Sequence, residues 1–287
     1  MKRPAHPVAI SIVVLYAIIS LAPIAWLVIT SVKHRNDIVA LPPRVLPAFE
    51  QQTPPQAPWF RLSWESYERI FAGSESPVPY LLNSVVIAGV STIASVFLGA
   101  FAAYGFSRFR VPGAKDWLFF ILSTRLLPPL AVAVPISFMY RQLGLNDTHF
   151  GLILLYTCFN LSFSTWLMKA FIDEIPQAYE EAALLDGYTR LQVFFRIVLP
   201  QATTGMLATA VFCLITAWNE FAFALTLTSE DAVTMPVRLN AVARQPGGDI
   251  WGPLAAGAVF FMIPVVVFSL LMRKHLLRGV TFGAVKG

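Results

Sequence analysis

Charge is the first thing this chain is short of. Only 13% of its 287 residues are Asp, Glu, Lys or Arg, against about a quarter in soluble domains. With 56% apolar residues, that scarcity excludes an ordinary soluble domain and points to lipid as the main solvent. Cysteine is almost missing too. Cys158 and Cys213 lie in apolar runs, which argues against a disulfide framework and leaves both as free thiols. The four histidines (His6, His34, His149, His275) are scattered, with no His-Glu-x-x-His pattern for zinc. No Gly-x4-Gly-Lys-Ser/Thr segment is present to cradle ATP phosphates, and no nucleophile elbow carries a serine. These absences speak against an enzyme and against a metal or cofactor bound by this chain. A net charge of +5 invites nucleic acid, but the basic residues stand between apolar runs, where lipid headgroups and topology account for them.

Long apolar runs are what the chain has instead. About 20 mainly apolar residues are needed to cross roughly 30 Å of hydrocarbon as a helix. Six segments meet that test: Val8 to Val32, Leu81 to Phe106, Trp117 to Tyr140, Phe150 to Ile172, Ala202 to Leu227 and Trp251 to Met272. A barrel would show alternating segments of about ten residues, so the expected fold is an all-α membrane protein of six spans. The first segment follows Lys2 and Arg3 but is too long for a cleavable signal and has no Ala-x-Ala, so it reads as an uncleaved helix.

Six crossings put both termini on one side. Lys2, Arg3, Arg108, Arg110, Lys115, Lys169, Arg190, Arg196, Arg273, Lys274, Arg278 and Lys286 share that side, which the positive-inside rule makes cytoplasmic. The whole chain, 1–287, is then expected to form a single transmembrane domain. Its parts are a first external loop at 33–80, a cytoplasmic connection at 173–200, a second external loop at 228–250 and a cytoplasmic tail at 273–287. Pro42, Pro43, Pro47, Pro54, Pro55 and Pro58 disfavour helix in the first external loop. The stretch from Trp59 to Phe71 mixes aromatics with charges and suits a short helix at the membrane face.

The cytoplasmic connection has local signals of its own. Pro176 suits a helix start and Gly187 the residue just past an end. Thr189 and Gln192 stand at capping-box spacing, so a second helix begins at once and runs until Pro200 interrupts it. Ala182 and Ala183 offer a small-residue face, and Glu180, Glu181 and Asp186 supply charge. Physics alone favours an ordinary amphipathic connection here over a docking element.

The spacing Glu181-Ala-Ala-x3-Gly187-x9-Ile197-x-Leu199-Pro200 resembles the EAA loop of permease subunits in binding-protein-dependent ABC importers. Leu81-Leu-Asn-Ser84, Ala102-Ala-Tyr104, Trp218-Asn-Glu-Phe221 and the ending Gly279 to Gly287 look like the carbohydrate-uptake branch, and specifically its maltose-permease-like smaller subunit. That resemblance implies a type I ABC importer permease with a cytoplasmic coupling helix in a bacterial-type plasma membrane. Its implied partners are a homologous permease, two ATPase subunits that use ATP and magnesium, an external solute-binding protein, membrane lipid and a sugar-like solute. It also implies that Tyr179, Glu180, Glu181, Ala182, Ala183, Asp186, Gly187, Ile197, Leu199 and Pro200 serve ATPase coupling. By the same resemblance Val285, Lys286 and Gly287 contact the ATPase, and Arg244, Gln245, Pro246, Gly247 and Gly248 face the binding protein.

Two ionisable groups fall inside spans, Arg125 and Glu220. A charge in mid-bilayer is costly and normally faces protein or water. With Asn160, Trp218 and Asn219 they form a candidate translocation path, near Ser162, Ser164 and Thr165, although such groups also glue helices together. The same pair supports the rival reading, an ion-coupled transporter or channel; a membrane anchor for an enzyme complex is a third. Pro128, Pro129 and Pro135 are expected to kink the third span and Pro264 the sixth.

Overall fold

A computed structural model describes residues 7–39, 62–72, 76–245 and 250–282, and among these the side chains of residue 8 and of those from 10 through 272. Every regular element among them is helical. In chain order they are α1 (Pro7–Ser31), α2 (Arg35–Ile38), α3 (Glu65–Ala72), α4 (Val78–Arg108), α5 (Ala114–Ser123), α6 (Pro129–Leu143) and α7 (His149–Asp173). There follow α8 (Ala178–Leu185), α9 (Arg190–Val193), α10 (Leu199–Gln201), α11 (Thr203–Trp218), α12 (Ala222–Leu227), α13 (Met235–Ala243) and α14 (Trp251–Phe282). Four helices are long and apolar enough to cross a membrane unaided, and two sharply bent pairs raise the number to six if each pair is one span.

The bends are where the structure departs from six straight helices. The third span ends α5 in a 3-10 turn at Thr124–Leu126 and resumes as α6 at 91° to it. Leu127 precedes Pro128, and Pro128 precedes Pro129; ring clash drives a residue before proline into extended backbone. Both adopt it, with ψ of 126° and 125°. Pro129 then serves as the first residue of α6, where its missing donor costs nothing. Pro135, by contrast, lies inside α6, and Pro264 inside the continuous α14.

The expected fifth span, Ala202 to Leu227, is two helices, α11 and α12, separated at Asn219–Phe221. The segment leading into it also bends, by 75°, where α10 meets α11. That bend falls at Ala202, two residues after Pro200, and Phe194–Val198, between α9 and α10, is a π-helical turn. Such turns carry one extra residue and concentrate at functional sites.

The chain forms two compact units, residues up to 79 with 238–263, and residues 80–237 with those from 264 onward. In the first, Ser63 N–H donates to the Val32 carbonyl at 2.8 Å, and the Ser31 and Tyr67 hydroxyls lie 3.0 Å apart. Phe71 meets Phe260 edge to face at 5.1 Å. The aromatic and charged stretch of the first loop thus supplies α3, beginning at Glu65; the prolines from Pro42 to Pro58 lie outside the described residues.

In the second unit α7 is the central helix. Gly99 on α4 lies against Ser164, and Gly205 on α11 lies against the Phe171 ring; a methyl group at either glycine would collide with those side chains. Small residues allow this close approach in lipid, where apolar burial alone gives helices no preference for one another. Asn160 of α7 donates to the Cys213 carbonyl of α11 at 3.2 Å. Ser164 and Thr165 are buried among these helices.

Candidate functional site

The connection between α7 and α11 begins with a helix whose ends are set locally. Gln177 stands at the N-cap position of α8 without a side-chain capping bond, with Pro176 just before it. At its far end Gly187 adopts φ +87°, its N–H donates to Leu184 O, and Tyr188 N–H reaches back to Ala183 O. This is a Schellman closure, and only glycine takes that backbone without strain. The Thr189 hydroxyl then accepts from Gln192 N–H, while the Gln192 side chain accepts from Thr189 N–H at 2.8 Å. The capping box expected from the spacing is therefore formed.

Eight residues make just over two turns, so α8 has an inner and an outer face. Tyr179, Ala182 and Leu185 point outward, with Leu185 89% exposed and Tyr179 56%. Glu181, Asp186 and Gly187 border them and are also exposed. Ala183 turns inward and packs with Ile175, Met168, Val193, Phe194 and Val198. Ile197 and Leu199 pack against the same cluster, and Pro200 is exposed. The motif thus divides by face: the outer residues make a surface, and Ala183, Ile197 and Leu199 hold it in place.

Glu180 belongs with the inner group, contrary to its expected place among the docking charges. It is 2% exposed, because helix phase carries it to the side of Ala183 and away from Glu181. Arg108 Nε of α4 donates to its Oε1 at 2.5 Å and the Tyr104 hydroxyl to its Oε2 at 3.1 Å. Arg108 Nη2 also donates to the carbonyls of Ile172 and Ile175, both at 2.9 Å. Nearby, Asp173 accepts from the Ser107 hydroxyl and from Lys169.

At the opposite end of this unit Asp147 forms a second organised site. It has φ +53°, a left-handed conformation that Asp and Asn tolerate better than other side chains. Its carboxylate accepts from the N–H groups of Ser229, Glu230, Asp231 and Ala232 and from the Ser229 hydroxyl, at 2.9 to 3.1 Å. Partial burial by itself pushes this carboxyl up, but the donors of Ser229, Ala232 and Asp231 outweigh it and hold the acid well below the usual carboxylate range. Asn83 donates to the carbonyls of Asp231 and Val233, and its own carbonyl lies 2.8 Å from His149 Nε2. Ser84 accepts from Met235 N–H. The Asn-Ser pair is thus a clamp on the loop from 229 to 235. A polar pair opening an apolar span was the available signal for it; Asp147 and Arg108 had none.

Arg125, Tyr156, Asn160, Thr216 and Glu220 line a cleft of about 120 Å³. Arg125 reaches the Thr216 hydroxyl at 3.3 Å and lies 5.3 Å from the Phe163 ring centre. Glu220 accepts from Tyr156 OH at 2.7 Å and from the N–H groups of Phe223 and Ala224. It therefore caps α12 across the break in the fifth span. No ion pair joins Arg125 to Glu220 among the described residues. Trp218 is buried and Asn219 is exposed, bonded back to Ile215 O; neither lines the cleft. Arg244 and Gln245 are exposed, whereas Pro246, Gly247, Gly248, Val285, Lys286 and Gly287 lie outside the described residues. No metal-binding group of His, Cys, Asp and Glu occurs among the described residues.

A family model described as binding-protein-dependent transport system inner membrane component matches residues 95–281. A probable ABC transporter permease protein of Sinorhizobium fredii is 34% identical over 94% of this chain and 92% of its own length. The trehalose transport system permease protein SugB of Mycobacterium tuberculosis is 36% identical over 79% of this chain and 83% of its own. A crystal structure of a bacterial ABC transporter involved in the import of the acidic polysaccharide alginate superimposes with a TM-score of 0.75. It is 21% identical and covers 93% of this chain and 94% of that one, a likeness of fold.

Proposed function

The chain belongs to the family of binding-protein-dependent transport system inner membrane components and is an ABC importer permease, and on that premise we propose that it passes a sugar or related polyhydroxylated solute across a bacterial inner membrane with both termini in the cytoplasm. The solute arrives on an external binding protein. A second, homologous permease and two ATPase subunits that use ATP and magnesium complete the assembly. The trehalose permease relative supports the solute class.

One observation carries the coupling role: α8 shows an apolar outer face of Tyr179, Ala182 and Leu185 rimmed by acids, on a helix whose inner face is locked. A leucine 89% exposed in water gains by burial in a groove, about 2 kcal/mol for a whole side chain. ATP-driven closure of the ATPases would displace this helix. The loop held by Asp147, Asn83 and Ser84, continuing toward Arg244 and Gln245, suits contact with the binding protein, and the cleft at Arg125, Asn160 and Glu220 suits solute passage. Ion-coupled transport is disfavoured because the Glu220 carboxylate is committed to three structural donors.

Leu185→Glu tests the reading. It should fold and insert normally but lose the ATPase subunits on co-purification; retention of them at the wild-type ratio refutes the docking role. Calorimetry of sugars on the cognate binding protein identifies the cargo, and binding of none refutes the solute class.

A further inference from the structure

Two charges in the coupling region have no place in the docking surface. The side chains of Arg108 and Glu180 are 5% and 3% exposed, so neither is available to a partner. They meet where three helices converge: the last residue of α4, the end of α7 and the first turn of α8. Arg108 takes the Glu180 carboxylate with one nitrogen and, with another, the carbonyls of Ile172 and Ile175. Ile172 lies in the last turn of α7 and Ile175 in the connection just beyond it, where intrahelical donors run out. Tyr104, one turn back on α4, holds the second oxygen of Glu180.

Stability alone is a poor reason for such a pair, because a buried ion pair is often matched by apolar residues of similar volume. What apolar contact does not supply is direction. The contacts around Ala183 let a short helix roll or slide, whereas a guanidinium fork bonded to three fixed oxygens resists both. Resting on the docking role proposed above, we infer that Arg108 and Glu180 are positioning residues for transport. They form the joint that makes α8 move as one body with the ends of α4 and α7. A push on α8 then reaches both helices and is not absorbed in the four-residue connection Glu174–Gln177.

The test uses the assembled transporter with its ATPase subunits, so that no solute need be known. Cys158, which is exposed, is replaced by Ser. Nitroxides are placed at Val90 on α4 and Ala178 on α8, both exposed. The distance between them is measured by pulsed electron resonance, nucleotide-free and after trapping with ATP and vanadate. In the otherwise unaltered protein it should be the same in both states. In Glu180→Gln it should shift on trapping by more than about 3 Å, two residues of helical rise.

Because Glu180→Gln strands Arg108 and can impair folding, Arg108→Met with Glu180→Met removes both charges and keeps the volume. That variant should retain its ATPase subunits and show the same shift. A changing distance in the unaltered protein overturns the joint, and so does a constant one in either assembled variant. Failure of the double methionine variant to assemble also overturns it, since the pair would then serve folding. The docking role fails separately, through ATPase subunits retained by Leu185→Glu.

Discussion

Asp147→Asn isolates one interaction with little else disturbed. Asparagine fits the same volume and tolerates φ +53° about as well as aspartate, so backbone strain does not enter. Of the five hydrogen bonds accepted by the carboxylate, two go to Oδ1 and three to Oδ2. An amide has one oxygen, so either orientation loses at least two and sets an NH2 group against backbone donors. At about 1.5 kcal/mol for each bond to a charged acceptor, the loss is about 3 kcal/mol before water recovers part of it at this half-buried site. A net of about 2 kcal/mol is about 30-fold in the local opening equilibrium. Hydrogen exchange of the 229–235 segment, read by mass spectrometry on the transporter in nanodiscs, measures that opening directly. The pH dependence is a second check. The folded carboxyl is held below its ordinary value, so its contribution is complete above the unfolded value of about 3.9 and is lost only as pH falls below it. Protection corrected for intrinsic exchange should be flat from about pH 5 to 8 in the native protein. A change under about threefold in the variant, or native loosening already at pH 6, would refute the clamp.

Three further outcomes follow from particular contacts. Gly187→Ala should destabilise the α8 closure by about 1 to 2 kcal/mol through its positive φ alone, since open space surrounds the new methyl; Gly187→Asn should cost less, and equal exchange rates at Tyr188 in the two variants would contradict this. Gly205→Ala drives a methyl into the Phe171 ring and should cost about 1 to 3 kcal/mol, visible as a lower thermal midpoint; an unchanged midpoint would show that α7 and α11 have room to part. Glu220→Gln should weaken the start of α12 by about 1 kcal/mol, as loss of a helix cap does, and faster exchange at Phe223 and Ala224 is the expected reading. Protection unchanged there would remove the capping role.

Much of the fold was legible because its causes are short-range. Apolar run length marks a span wherever the segment sits, and α4 and α7 fall within a few residues of the expected bounds. The end of α8 at Gly187 and the Thr189–Gln192 box are likewise written in a few adjacent residues, since backbone conformation and capping depend on neighbours along the chain. The bends were harder. The prolines at 128 and 129 announced one, but the break at Asn219–Phe221 contains no proline; it is held by the Glu220 carboxylate together with Tyr156, 64 positions away.

The coupling motif shows the boundary most clearly. Sequence by itself determined that a short capped helix stands between two spans, that its spacing matches the EAA pattern, and that no nucleotide motif accompanies it. It did not separate Glu180 from Glu181, two identical side chains in consecutive positions. Tertiary structure decided that, because one step along a helix turns a side chain by roughly 100°, and the packing of Ala183 against the cluster around Ile175 and Val193 fixes which way α8 faces. Arg108, 72 residues earlier in the chain, then receives the inward glutamate and leaves the outward one at the surface. The same reason placed Asp147 under a loop more than 80 residues away: local rules set each helix, and only packing sets which distant donors and acceptors meet.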